Sequence, residues 1–168
     1  MTIKRVSHHT FTVSDLDKSI PFYRDLLGFR LTQDKMRENV PSYDKVMGFT
    51  DVKVRVALFM DPADESMLAL LQYHNPKPIV REMSNAYVGT SILAVHVEDI
   101  DFEYDRLTKA NVRFNSPPVD MVREGKLAAR LAYALDPDGI VVELYQPTKS
   151  LSGNDSSDFL GFQAARAR

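Results

Sequence analysis

Three features that would narrow the function of a 168-residue chain are missing from this one. It has no cysteine, which excludes a disulfide framework, a thiolate metal site and a cysteine nucleophile. No apolar run approaches membrane-spanning length, and the stretch MTIKRVSHHTF goes into a strand pattern without the apolar core of a signal peptide. The formal net charge is only −2, and the basic residues are scattered, which argues against nucleic acid as a partner. We therefore expect a cytoplasmic globular protein without a membrane partner.

What the chain does contain is an internal repeat. Residues 6–17 read VSHHTFTVSDLD and residues 90–101 read TSILAVHVEDID. Each copy ends in Val, one polar or acidic residue, Asp, Leu or Ile, and Asp. Each copy is followed by a helical pattern and by further short strands, so the repeat indicates two copies of one supersecondary module.

Periodicity predicts a similar order of elements in both copies. In the first, residues 5–13 alternate as a half-buried strand does, Asp15 is a good helix N-cap, and Gly28 ends the helix. Strands follow at FRLTQ, VKVRVALFM and SMLALLQYH, with a helical NVPSYDKVMGF after the first of them. In the second copy, a strand at 92–97 precedes a helix that Asp99 caps. Strands are then predicted at VRFNSPP, LAARLAYAL and IVVELYQP, with the turn DPDG between the last two.

These elements set the predicted boundaries. Residues 3–76 form the first βαβββ module, residues 77–89 a linker, residues 90–147 the second module, and residues 148–168 a C-terminal tail. The tail begins polar and rich in Gly and Ser, which is typical of a disordered end. Its last part, FLGFQAARA, has the alternative of docking as a helix on a partner.

The residues HHTFTVSDLDKSIPFYRDLLGF and YALDPDGIVVELYQP resemble the vicinal oxygen chelate superfamily. This group includes glyoxalase I, methylmalonyl-CoA epimerase, extradiol dioxygenases, and the fosfomycin and bleomycin resistance proteins. The resemblance covers residues 3–147. It implies an α+β fold in which two βαβββ modules form a curled, half-open barrel with helices on the convex side. It also implies a homodimer. The family runs many chemistries on one scaffold, so the motifs do not identify the reaction.

The resemblance further implies a divalent metal held by one residue from each of four strands. His8 matches the first ligand position and Glu143 the last. The second position falls on Ala69 and the third on Ile92, and neither side chain can bind a metal. A metal is therefore disfavoured, would be held by His8 and Glu143 alone, and no other cofactor is expected.

Strand parity provides an independent check on this register. If His8 points into the concave side, side chains two residues apart on each strand do so too. The predicted concave set is His8, Thr10, Thr12, Met67, Ala69, Leu71, Tyr73, Ile92, Ala94, His96, Val141, Glu143 and Tyr145. The opposite parity selects Phe11, Val13, Leu68, Leu70, Leu93, Val95, Val97, Val142 and Leu144, which form a plausible helix-facing core. The concave side is then largely apolar with a few polar groups, as small-molecule pockets are.

From the concave set we predict the substrate-binding residues Thr10, Thr12, Ala69, Leu71, Tyr73, Ile92, His96 and Tyr145. His96 lies two register steps along its strand from Ile92 and so should miss a metal held by His8 and Glu143. His9 should face the helix side and form a hydrogen bond at the sheet edge.

For several other side chains, both a functional and a structural interpretation remain open. Tyr133 offers either a hydroxyl to the site or plain packing. Arg55 and Arg130 either reach an anionic substrate group or are solvated strand residues. His8 and Glu143 either form a facing acid/base pair, with protonation tuned by burial, or are relics bonded to each other or to water.

Three classes of function remain. The first is a metal-dependent lyase, epimerase or dioxygenase, which Ala69 and Ile92 oppose. The second is a metal-independent enzyme that performs acid/base chemistry on an organic substrate, such as isomerisation, cyclisation or hydrolysis, with His8 and Glu143 as catalytic candidates. The third is a metal-free protein that sequesters a hydrophobic or aromatic compound. We favour the second, and we expect the loops at 34–50 and 115–127 to set substrate specificity.

Overall fold

A computed structural model describes residues 2–123 and 125–148. The described residues divide into two compact units. The first comprises the residues up to Ser91 together with Leu135–Val141, and the second comprises Ile92–Ala134 together with the residues from Val142 onward. The predicted α+β class is confirmed, because each unit contributes a sheet and at least one helix. Among these residues no helix is long and apolar enough to cross a membrane.

The first unit contains a four-stranded sheet in the order β1-β4-β3-β2. Its elements are β1 His8–Thr12, α1 Leu16–Pro21, a π-helix Phe22–Leu26, β2 Arg30–Arg37, α2 Pro41–Met47, β3 Lys53–Met60 and β4 Met67–Asn75. Strand β1 pairs parallel to β4, and the other neighbours are antiparallel. The helix at residues 16–27 was predicted as one α-helix, but it changes to a π-helix after Pro21. Proline has no N–H and its ring crowds the preceding turn, so a regular α-helix is not favoured through this position.

The second unit contains β5 Leu93–His96, α3 Ile100–Lys109, β6 Arg113–Phe114, β7 Val119–Arg123, β8 Lys126–Leu135 and β9 Val141–Pro147. The sheet order is β5-β9-β8-β6, and β7 also pairs with β8. Strand β7 corrects the sequence analysis, which treated residues 115–127 as a loop. Its five residues follow two prolines and form an antiparallel ladder with β8, and a register shift lies between Met121 and Val122.

The repeated motif has a structural role at the start of each helix. Asp15 and Asp99 are the N-caps of α1 and α3, and their carboxylates accept from the backbone N–H groups of Asp17 and Phe102. The hydrophobic residue after each cap, Leu16 or Ile100, is fully buried. Its backbone N–H donates to a glutamine of the adjoining strand, over 3.0 Å to Gln72 in the first copy and 3.2 Å to Gln146 in the second.

The last aspartate of the motif forms an ion pair in both copies. Arg55 of β3 contacts Asp17 at 2.7 Å and Asp34 at 2.7 Å. Arg130 of β8 contacts Asp101 at 2.5 Å and Asp120 at 3.0 Å. Arg55 holds the pKa of Asp34 below its usual range by its hydrogen bond to that carboxylate. The repeated sequence is therefore explained by helix capping and by strand-to-helix ion pairs.

The predicted turn DPDG closes the hairpin between β8 and β9 and carries a buried aspartate. Asp136 is 1% exposed, and its Oδ1 accepts from the backbone N–H groups of Asp138 at 2.9 Å and Ile140 at 2.8 Å. Its Oδ2 accepts from the hydroxyl of Tyr23 at 3.1 Å. Burial raises the pKa of Asp136 to about 6, and burial together with the Asp136 charge raises the pKa of Tyr23. Gly139 at φ +84° completes the turn.

Candidate functional site

The strand registers of the two sheets support the alignment of the repeats. In the first sheet Thr10 lies opposite Ala69, and in the second Ala94 lies opposite Glu143. His8 lies two residues before Thr10 and Ile92 lies two residues before Ala94, so His8 and Ile92 are equivalent positions of the two copies. Ala69 and Glu143 are equivalent as well, because they are the partners of Thr10 and Ala94. The first copy thus keeps a histidine where the second has isoleucine, and the second keeps a glutamate where the first has alanine.

Burial confirms the predicted parity of the strands. The helix-facing set is buried in the first unit and is buried or half-buried in the second. On the predicted concave set, Thr10, Thr12, Ala94 and His96 are exposed, and Ile92 is 37% exposed. Ala69, Val141 and Tyr145 are exceptions, since all three are buried although they have concave parity.

The four family ligand positions do not fit a metal ion. Ala69 and Ile92 have no donor atom, and Ala69 is 4% exposed in the middle of the sheet. Within residues 2–123 and 125–148 no group of three or more His, Asp or Glu side chains is placed to hold a metal. Two residues rarely hold a divalent ion, so His8 and Glu143 alone do not make a metal site.

The histidines of the first unit have ordinary surroundings. His8 is exposed at the start of β1, and its Nδ1 lies 3.1 Å from Ser7 Oγ. The Nε2 of His9 lies 3.1 Å from Ser91 Oγ, and its ring packs edge-on against Phe11, as predicted for a hydrogen-bonded histidine at the sheet edge. His74 is exposed near the end of β4.

A cluster of apolar side chains covers one end of the concave face of the first sheet. Three buried valines of the β3 region form its base, and residues from α2 and β4 pack on them: the cluster comprises Val52, Val54, Val56, Tyr43, Met47, Leu58, Leu71 and Tyr73. Tyr73 also contacts the ring of Phe49, which follows α2. Two predicted substrate-binding residues, Leu71 and Tyr73, thus lie beneath α2. Helix α2 lies within residues 34–50, which are predicted to set substrate specificity.

The second unit places a carboxylate and a tyrosine together. Glu143 of β9 is half-buried, and burial raises its pKa above the usual glutamate range. Tyr133 of β8 is half-buried too, and its hydroxyl lies close enough to Glu143 for each group to shift the pKa of the other. Tyr133 lowers the pKa of Glu143, but burial has the larger effect. Burial and the Glu143 charge in turn raise the pKa of Tyr133. The sequence left open whether Tyr133 supplies a hydroxyl to the site or only packs. Its position on the strand before the DPDG hairpin was the sequence feature that could have placed it near Glu143.

The neighbours of Glu143 on its sheet are apolar or aromatic. Ala94 lies directly opposite it, and His96 lies opposite Tyr145 one register step along. The His96 and Tyr145 rings are 5.3 Å apart and tilted by 31°. Among the surrounding residues, Ile92 is partly exposed, so a ligand can reach this face. A half-buried carboxylate with a raised pKa on an apolar, accessible face can act as a proton acceptor near neutral pH.

The candidate residues therefore separate into two groups. Thr10, Thr12, Leu71 and Tyr73 lie on the first sheet with His8. His96 and Tyr145 lie on the second sheet with Glu143, and Ile92 directly precedes its strand β5. Glu143 has Tyr133 as a partner and His8 has Ser7. The facing pair of His8 and Glu143 stays a prediction. Arg55 and Arg130 are held in ion pairs on the opposite parity of their strands, which favours the structural interpretation of both.

The fold and site define a protein built from two strand–helix–strand modules, with the half-buried carboxylate of Glu143 on the last strand of the second. The chain belongs to the Glyoxalase/Bleomycin resistance protein/Dioxygenase superfamily, whose profile matches residues 5–144.

Individual relatives agree with this assignment. The chain is 30% identical over 154 residues to a probable lactoylglutathione lyase of Vibrio cholerae, covering 91% of this chain and 98% of the relative. Its fold is similar to a glyoxalase family protein from Bacillus cereus, with 24% identity, TM-score 0.76, and coverage of 88% and 96% of the two chains. It is also similar to an antibiotic-binding protein from Streptomyces sp. CB03234, with 23% identity, TM-score 0.60, and coverage of 88% and 99%.

Proposed function

We propose that this chain is a metal-independent enzyme that transfers a proton on an organic substrate, with Glu143 as the proton acceptor. The observation that carries the proposal is the half-buried Glu143 carboxylate, whose pKa is raised by burial and beside which the Tyr133 hydroxyl lies. Ala69 and Ile92, at two of the four family ligand positions, support the absence of a metal. The chemistry is therefore that of a base in an apolar environment, as in isomerisation, cyclisation or hydrolysis.

Tyr133 is assigned the role of a positioning residue. Its hydroxyl lies beside the carboxylate and favours the charged form of Glu143. When Glu143 takes a proton, the same hydroxyl remains beside the neutral acid and can accept from it, because a phenol both donates and accepts. His8 is proposed as a second acid/base or ligand-contacting group.

Base strength is measurable with a probe that needs no knowledge of the natural substrate. In 5-nitrobenzisoxazole, removal of the proton on the ring carbon sends its electron pair into a C≡N bond and breaks the N–O bond, which leaves a coloured cyanophenolate. We expect saturable turnover of this probe by the metal-free protein. The rate should rise with pH as Glu143 loses its proton, with an inflection above that of an ordinary glutamate.

The decisive variant is Glu143→Gln, which keeps the shape of the side chain and removes the base. We expect the saturable rate to fall on the order of a hundredfold or more. The matched control is Glu103→Gln, since Glu103 is a half-buried glutamate of the same unit that pairs with Arg106. Unchanged turnover in Glu143→Gln, with the fold intact by circular dichroism, would refute the proposed role.

A second candidate function is sequestration of an apolar compound without turnover. The partly exposed Ile92 and the side chains Val119 and Met121, which are 49% and 42% exposed, favour it. The fold similarity to an antibiotic-binding protein also supports it. Under this function Glu143→Gln would change ligand affinity, and no variant or wild-type protein would produce the cyanophenolate above the buffer rate.

We also propose a cytoplasmic homodimer. Val122 and Leu127 lie opposite each other in the β7–β8 ladder and are 66% and 44% exposed, which supports contact with a second copy. Val122→Lys should convert the dimer to a monomer in sedimentation equilibrium. A wild-type protein that sediments as a monomer at high concentration would contradict the assembly.

A further inference from the structure

We propose that the concave face of the first unit carries a subsite for a planar aromatic compound with a hydrogen-bond acceptor, and that Tyr73 and Phe49 form it. This inference extends the proposed function by naming a ligand class. It concerns residues of the first unit alone, so it can fail or succeed independently of Glu143.

The hydroxyl of Tyr73 has an unusually weak partner. It donates to the thioether sulfur of Met47 at 3.5 Å. A thioether is a poor acceptor, so a ligand oxygen or nitrogen would be a better partner for this O–H. The ring of Tyr73 lies on the cluster of β3 valines, which fixes its position. Tyr73 therefore offers a rigid, apolar surface with one donor that gains from a ligand.

Phe49 supplies an accessible aromatic surface beside that donor. Its ring centroid is 6.2 Å from that of Tyr73, the two planes meet at 78°, and 48% of Phe49 is exposed. Aromatic rings favour edge-to-face or offset stacking, and a half-exposed ring leaves surface for a further planar group. A flat aromatic compound that stacks on Phe49 would lie close to the Tyr73 hydroxyl.

The backbone around Phe49 is held in place. Gly48 adopts φ +73°, a left-handed conformation that ends α2 and turns the chain. The Asp44 carboxylate accepts from the backbone N–H groups of Asp51 at 3.2 Å and Val52 at 2.8 Å. The Asn75 side chain donates to the carbonyls of Thr50 and Asp51. The segment that carries Phe49 is thus anchored on both sides, which lowers the cost of ordering a binding surface.

The test measures binding of two probes, 2-naphthol and naphthalene, by fluorescence titration. The chain has no tryptophan, so probe emission is free of that background. We expect Tyr73→Phe to weaken 2-naphthol about fivefold, since one hydrogen bond is lost, and to leave naphthalene unchanged. Phe49→Ala should weaken both probes by about tenfold through the loss of stacking.

A further variant separates this subsite from the rest of the molecule. Tyr104→Phe is the matched control, because Tyr104 packs edge-on against Phe114 in the second unit. It should leave both affinities unchanged. Two results would each overturn the inference: no saturable binding of 2-naphthol, or equal affinity of 2-naphthol for wild type and Tyr73→Phe in folded protein.

Discussion

The buried aspartate of the DPDG hairpin should make the protein less stable as the pH rises. Asp136 has a pKa of about 6 in the folded chain against 3.8 ordinarily, mainly because burial disfavours its charged form. The folded state therefore holds this proton over a range in which the unfolded state has lost it. The associated stability is fully present below about pH 4 and is lost as the pH rises through about 6.

The magnitude follows from the size of the shift. A difference of about two pKa units corresponds to about 3 kcal/mol in the free energy of unfolding. Asp136→Asn removes this titration. Its side-chain oxygen can still accept from the backbone N–H groups of Asp138 and Ile140, as Oδ1 does in the wild type. Between about pH 4 and about pH 7, the difference in unfolding free energy should move by about 2 to 3 kcal/mol in favour of the variant.

The assay is urea unfolding, followed by far-ultraviolet circular dichroism, of wild type and Asp136→Asn at several pH values. Taking the difference cancels other carboxylates, including Asp34, whose pKa is lowered by Arg55. Tyr23→Phe adds a second measurement, because its hydroxyl lowers the Asp136 pKa and its loss should move the transition to higher pH. A difference between wild type and Asp136→Asn that stays constant over this range would refute the reasoning.

Two further predictions concern the site and the repeat. In the benzisoxazole assay, Tyr133→Phe should move the inflection of the pH–rate profile to higher pH, because the lost hydroxyl favoured the charged form of Glu143. An inflection that stays in place would separate Tyr133 from the base. Arg55→Leu should lower the unfolding free energy by about 1 kcal/mol, a small effect because its ion pairs are partly exposed. Arg130→Leu should cost less, because Asp101 and Asp120 are 65% and 60% exposed, whereas Arg55 has a partner, Asp34, that is only 30% exposed. The two costs, compared in urea unfolding, should fall in that order.

Much of the fold was predictable because period-two alternation and helix capping are local signals. The motif around Asp15 and Asp99 predicted both helix starts, and parity predicted which strand residues are buried. Strand β7 was missed because its residues pair with β8 in an irregular ladder and carry no clear alternation. The change to a π-helix was also missed, since the pattern beyond Pro21 stays helical whichever turn the backbone adopts.

The site was predictable only in part. Some of its contacts join residues that lie far apart in the chain, and others depend on where the side chains are placed. Glu143 was identified by its motif, but its proximity to Tyr133 requires the pairing of two strands across the hairpin. Tyr23 and Asp136 are separated by 113 positions, and no periodicity links them. The packing of Tyr73 against Met47 and Phe49 likewise depends on where α2 folds back onto the sheet.

Metal content is the measurement that tests the central claim most directly. The claim is that a family scaffold with Ala69 and Ile92 at two ligand positions works without a metal, through Glu143. Protein purified without chelator and without added ions should contain far less than one Fe, Mn, Zn, Ni or Co per chain by elemental analysis, and it should turn over 5-nitrobenzisoxazole in that state. A near-stoichiometric metal, with turnover lost when the metal is removed and regained when it is restored, would contradict the claim.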